Sequence, residues 1–156
     1  MPRHILIPTD GSALSQAAVE YGIALAKSVG AEVTVLTVSA PFHAFAVEHV
    51  IATDTSEQYA KQVAALAKRY LDAAKEIALA AGVSCETVHL ELDHPYLAII
   101  DTAAKKSCDL IVMASHGRRG ISAVVLGSET NKVLTHTSIP VLVVCPPSRP
   151  FFSIES

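Results

Sequence analysis

The chain has 156 residues, 51% of them hydrophobic and 17% charged, with 12 basic against 15 acidic side chains and a formal net charge of −3. That length suits one compact domain, and the apolar content supplies a sizeable core, which excludes wholesale disorder. The mildly acidic balance lacks the basic footprint that nucleic-acid binding needs, and no apolar run nears the roughly 20 residues that span a bilayer.

The N-terminus reads MPRHILIPTD, too short and too soon polar for a secretory leader. Cys85, Cys108 and Cys145 are odd in number, widely spaced and without a CxxC pair, so they read as reduced thiols of a cytoplasmic protein.

The first apolar run, His4 to Pro8, ends at Thr9-Asp10-Gly11 and reads as a strand. A helical pattern follows, with Leu14, Ala18, Tyr21, Leu25 and Val29 at spacings of three or four, Ser12 as N-cap and Gly30 as the residue just past the end. Glu32 to Ser39, rich in β-branched residues, reads as a buried strand. Residues 40–53 show no period and read as a semi-ordered connection. A long amphipathic helix is expected from Thr55 to Ala81, with Tyr59, Val63, Leu66, Tyr70 and Ile77 on one stripe, Thr55 and Gln58 as a capping box, and Gly82 as its stop.

Ser84 to Leu92 alternates loosely and reads as a less buried third strand. His94-Pro95 opens another helix, proline being suited to a first turn, and Leu97, Ile100 and Ala104 supply its apolar side. Asp109 to Ala114 and Pro140 to Cys145 are the last two strands, with a helix over Ser128 to His136 between them. The domain is expected to span residues 1–146, followed by a flexible, proline-rich tail over 147–156.

Near-continuous Val/Ile/Leu strands alternating with helices imply a single doubly wound α/β domain, an open five-stranded parallel sheet of order 3-2-1-4-5 with helices on both faces. In such a sheet ligands bind at the carboxyl ends of the strands, where the strand order reverses. Pro8 to Ser12 and Ala114 to Gly117 meet there. The run from Ala114 to Thr130, ASHGRRGISAVVLGSET, then places glycines, cations and a helix start together. Glycines let successive N–H groups approach one anion, and a helix N-terminus favours negative charge. As an ordinary glycine-containing loop before a capped helix, the same spacing would carry no ligand. GxxxxGK[ST] is missing, and PTDGS stands where GxGxxG would follow the first strand, which argues against a P-loop ATPase and a dinucleotide dehydrogenase.

ILIPTDGS at the first strand, DLIVMASHGRRG at the fourth and LGSETNKVLTHTSIPVLVV at the end together resemble the universal stress protein family, over nearly the whole chain. The resemblance implies a Rossmann-like fold. The ATP-binding branch carries a glycine, two residues, a second glycine, nine residues, then Gly followed by Ser or Thr. Gly117 and Gly127-Ser128 match that pattern, and Ala114 departs from it at the first glycine. Carried over residue by residue, the resemblance implies that Pro8, Thr9 and Met113 line a base pocket and that the Val38 backbone meets adenine. Asp10 lies near ribose and phosphates and holds Mg²⁺ with them. Gly117, Arg118, Gly127, Ser128, Glu129 and Thr130 face the phosphates, Glu129 through its backbone. It further implies a homodimer through the edge strand Val141–Val144.

The expected function is nucleotide-dependent regulation or interaction by bound ATP. The alternatives are a member working through protein partners alone and one binding AMP or cyclic AMP. No residue is placed as a base to activate water, so ATP hydrolysis is expected to be slow at most. Asp10, Ser12 and His116 lack the G-x-S-x-G elbow of a hydrolase, and His43, His49, His89, His94 and His136 lack metal-ligand spacing.

Overall fold

The structure, a computed structural model, describes residues 1–42, 56–117 and 126–147. Its elements in chain order are β1 (His4–Pro8), α1 (Ala13–Val29), β2 (Glu32–Ser39), α2 (Ser56–Ala81), β3 (Cys85–Glu91), α3 (Pro95–Lys105), β4 (Leu110–Ala114), α4 (Ser128–His136) and β5 (Val141–Val144). The strands form one parallel sheet in the order β3-β2-β1-β4-β5, as expected. Thr55, most of the 40–53 connection and the tail from residue 148 lie outside the described residues.

Strand alternation divides the core into two layers. Ile5, Ile7, Val33, Val35 and Val112 face α1 and α2. Leu6, Leu36, Ile111 and Met113 face α3 and α4. Each fully buried Val, Leu or Ile contributes roughly 1.5–3 kcal/mol relative to an exposed one, so both layers are needed to hold the sheet. β3, at one edge, is only half-buried, in keeping with its looser sequence pattern.

The local signals at helix ends act where the sequence places them. The Ser12 side chain accepts from the Ser15 N–H at 3.2 Å, and Gly30 ends α1 in the left-handed region at a φ of 73°. Pro95 occupies the first turn of α3. The expected stripes hold in part on α1 and α2, where Ala18 and Tyr59 are buried and Leu25, Val29 and Ile77 pack against the core. The α3 face is turned. Ser15, Ala18, Val19, Gly22, Ile23 and Ala26 are the buried residues of α1, whereas Tyr21 is 51% exposed. On α3, Ala98, Ile99, Thr102 and Ala103 are buried and Leu97 is 48% exposed. On α2, Ala67, Leu71, Ala74 and Ala78 join Tyr59 in the core, while Leu66 is exposed. The buried faces combine Val19, Ile23, Leu71 and Ile99 with small residues, which let the helices come close to the branched side chains of the strands. Gly22 shows this directly, since a Cβ there would run into the Ile7 side chain.

Candidate functional site

The crossovers from β1 and β4 leave in opposite directions, so their carboxyl ends open a crevice between them. A groove of about 640 Å³ occupies it, within the size range of small-molecule sites. Its walls contain Pro8, Thr9 and Asp10 from the end of β1, Val38 from β2, Met113, Ala114 and Gly117 from β4 and its loop, and Gly127, Ser128, Glu129 and Thr130 from the start of α4. These are the expected site residues, apart from Arg118, which lies outside the described residues.

The β1 side is closed on itself. Thr9 donates its backbone N–H to the Leu36 carbonyl at 2.8 Å, and its hydroxyl meets the Ser15 hydroxyl at 3.0 Å and accepts from the Gly11 N–H at 3.2 Å. Asp10 Oδ1 accepts from the Ser12 N–H at 2.9 Å, the turn bond typical of aspartate before a helix. Gly11 takes a φ of 76°, and the Tyr70 ring lies where its Cβ would stand. Thr9 is therefore a framing residue, its hydroxyl engaged within the turn.

On the β4 side, the chain approaches itself closely through glycine. The Gly127 N–H donates to the Ser115 carbonyl at 2.7 Å, and a Cβ on Gly127 would lie 3.0 Å from His116 Cα and 3.1 Å from the Ser115 oxygen. A Cβ on Gly117 would meet Asp10 Oδ2, so the Asp10 carboxylate rests over the Gly117 backbone and joins the two loops. The Thr130 hydroxyl donates to the Ala114 carbonyl at 2.9 Å, which commits its proton to the strand end. Only its backbone N–H remains to face a ligand.

Gly127 is the N-cap of α4 and has no side chain with which to cap it. First-turn N–H groups have no partner within a helix, and their partial positive charge favours an anion. The Glu129 carboxylate does not fill the place: Oε2 accepts from the Tyr96 N–H of α3 at 2.9 Å, and Oε1 lies 3.6 Å from Lys132 Nζ. An acid in the first turn is thus turned off the helix axis toward a neighbour.

The groove also contains residues the sequence reading did not place there. Leu92, Asp93, His94 and Pro95 form a wall from the β3–α3 turn, and Lys132 stands one helical turn beyond Ser128. The topology held the signal for the first group, because the β3–α3 turn also lies at the carboxyl edge. An i to i+4 step from Ser128 held it for Lys132. Burial, aided by the neighbouring Asp109 charge, pushes Cys108 up to about 11, and burial raises Cys85 as well. Among the described residues no group of His, Cys, Asp and Glu could hold a metal by itself, and no helix is long and apolar enough to cross a membrane.

Sheet order and crevice define the class: a doubly wound α/β protein with its groove at the switch point. The universal stress protein family matches residues 1–145. Universal stress protein MJ0531 of Methanocaldococcus jannaschii is 34% identical over 149 residues, covering 94% of this chain and 84% of its own. The chain belongs to the universal stress protein family. Among solved structures, the hypothetical protein MJ0577, whose biochemical function was assigned from structure, superposes with a TM-score of 0.79 at 25% identity, covering 94% of this chain and 98% of the other. A universal stress protein in complex with cAMP shares the fold, with a TM-score of 0.69 at 23% identity and coverage of 94% and 98%.

Proposed function

We propose that the protein binds an adenine nucleotide, ATP foremost, in this groove and acts as a nucleotide-dependent regulator or interaction module of the stress response, in the cytoplasm. The observation that carries the reading is the start of α4, capped by a glycine and flanked by an acid turned away, opposite Asp10 and Gly117. Phosphates take the N–H groups of Ser128, Glu129 and Thr130 there, and Ser128 adds a hydroxyl.

The base end follows from register. Pro8 pairs with Leu36, and the Thr9 N–H to Leu36 carbonyl bond is the last rung between β1 and β2. Two residues on, Val38 presents its N–H and C=O to the same side, past the end of β1. An adenine edge, acceptor N1 beside donor N6, complements that pair, whereas guanine reverses both roles. Pro8 and Met113 supply apolar walls. Asp10 is the residue that would hold Mg²⁺ jointly with the phosphates, since a hard carboxylate oxygen suits that ion. Bound Mg²⁺ would neutralise phosphate charge. Asp10 and Glu129 each engage a backbone N–H, so neither is poised as a strong base, and hydrolysis is expected to be slow.

Ala114 favours a second reading, in which the site takes no nucleotide and the protein works through partners; a site for AMP or cyclic AMP is the separate alternative. The Ala114 methyl stands at the strand end in the groove wall, where the nucleotide-binding branch of the family has glycine. The deciding experiment is to denature protein purified without added nucleotide and separate the released small molecules against ATP, ADP, AMP and cyclic AMP. Stoichiometric ATP is expected. A protein that is empty, and stays empty on titration with Mg-ATP, overturns the proposal in favour of partners alone.

The proposal extends to a homodimer. β5 pairs with β4 on one side and forms the sheet edge, and a bare apolar edge invites pairing with a second copy. Val143→Glu is expected to give monomers in analytical ultracentrifugation; an unchanged dimer would remove the edge from the interface.

A further inference from the structure

His94 stands at the N-cap of α3 and makes no side-chain capping bond. Pro95 has no N–H, and the Leu97 N–H reaches back to the His94 carbonyl at 3.1 Å. The donor left over in that first turn is the Tyr96 N–H, and its acceptor is Glu129 Oε2, 33 residues away in the first turn of another helix. The cap of α3 is thus supplied by α4. Lys132 steadies the same acid from the other oxygen, with Nζ 5.4 Å from the Tyr96 ring centre, and the Tyr96 ring packs on His136 at 5.3 Å.

The two helix starts joined this way both contribute to the walls of one groove. Leu92, Asp93, His94 and Pro95 lead into α3, and Gly127, Ser128 and Glu129 open α4. We infer that Glu129 is a positioning residue that clamps the β3–α3 wall to the start of α4, setting the width of the groove and keeping its own carboxylate out of the anion site. The inference deepens the nucleotide reading and rests on it for the ligand, while the clamp itself is a property of the protein alone. Two consequences follow. Losing the clamp should weaken any ligand that spans the groove, including one with no phosphate. It should also free the amide of Tyr96, whether or not ligand is present.

The test uses Glu129→Ala and Glu129→Gln in the full chain, with amide hydrogen exchange on the ligand-free protein and calorimetric titration with adenosine and with Mg-ATP. Gln keeps an oxygen acceptor for the Tyr96 N–H, and Ala does not. Exchange at Tyr96 is expected to rise about tenfold in the Ala variant, the scale of a lost helix cap, and to stay near wild type in the Gln variant. Adenosine and ATP affinities should fall together, about three- to tenfold, for Ala and be largely retained for Gln. Unchanged exchange at Tyr96 in the Ala variant overturns the clamp. So does stronger ATP binding with adenosine unaltered, which would mean that Glu129 is merely a charge beside the phosphates. A wild-type protein that binds neither ligand overturns the nucleotide reading, and the Tyr96 exchange still decides the clamp.

Discussion

Two loops flank the groove, and they treat the helix that follows in opposite ways. Between β1 and α1, Ser12 caps the helix, Asp10 accepts from the Ser12 N–H, and Thr9 gathers the Gly11 N–H and the Ser15 hydroxyl. Between β4 and α4, a glycine stands where the cap would be, and the nearby acid is drawn off to α3. The difference lies in where the backbone's polar groups find partners. Short polar side chains satisfy the first loop from within, which stabilises the fold. Among the described residues the second loop gives α4 no side-chain cap, and on the proposed reading this leaves the first-turn donors for an anion. A third helix start, that of α3, lies between these cases, with its cap borrowed from α4.

If that contrast is right, substitutions in the two loops should separate affinity from stability. The largest effect is expected from Gly127→Val. Its Cβ would press on His116 Cα and the Ser115 oxygen, at 3.0 and 3.1 Å, and displace the first turn of α4. Two or more charge-assisted bonds to phosphate would be lost, so Mg-ATP affinity should fall on the order of a hundredfold in titration. A melting curve should also shift, by a cost of roughly 1–3 kcal/mol, because the neighbours are backbone and give little. Unaltered affinity would place the phosphates elsewhere.

Asp10 sharpens the comparison, because it belongs to the closed loop and faces the open one. Asp10→Asn keeps an oxygen for the Ser12 N–H but loses the charge. Its Mg-ATP affinity is expected to drop about tenfold with AMP affinity little changed, since one charged contact to the metal or phosphates is worth roughly 1.4 kcal/mol or more. Asp10→Ala should add a stability loss that Asn does not show. Equal weakening of AMP and Mg-ATP by Asn would assign Asp10 to the ribose. The smallest effect is expected from Ser12→Ala, which removes the α1 cap and should lower stability by about 1 kcal/mol in denaturant unfolding. Its nucleotide affinity should hold; a large loss would mean that the closed loop also serves as an anion site.

Much of this contrast can be read along the chain. Ser12, Gly30 and Pro95 mark helix ends through the special backbone demands of those positions, and such demands are local. The branched strands and their order of appearance likewise led to the parallel sheet. Part of the helix faces was misjudged for the opposite reason. Tyr21 and Leu97 attract attention as large apolar side chains and stand exposed, whereas Gly22 and Ala98 are buried. Which face a helix buries depends on the volume its neighbours leave, and the neighbours come from distant parts of the chain.

The site divides along the same line. Residue types and their spacing by themselves determined that PTDGS and Gly117 with Gly127-Ser128 should meet at one end of a parallel sheet, because turn chemistry and crossover handedness act over short stretches. Only the tertiary structure decided that the Thr130 hydroxyl is spent on the Ala114 carbonyl, that the β3–α3 turn supplies a wall, and that Glu129 reaches Tyr96 of α3. The two hydrogen bonds depend on which donor and acceptor lie within 3 Å after packing, and the wall on where the topology sets the turn. Packing brings together groups that sequence keeps tens of residues apart.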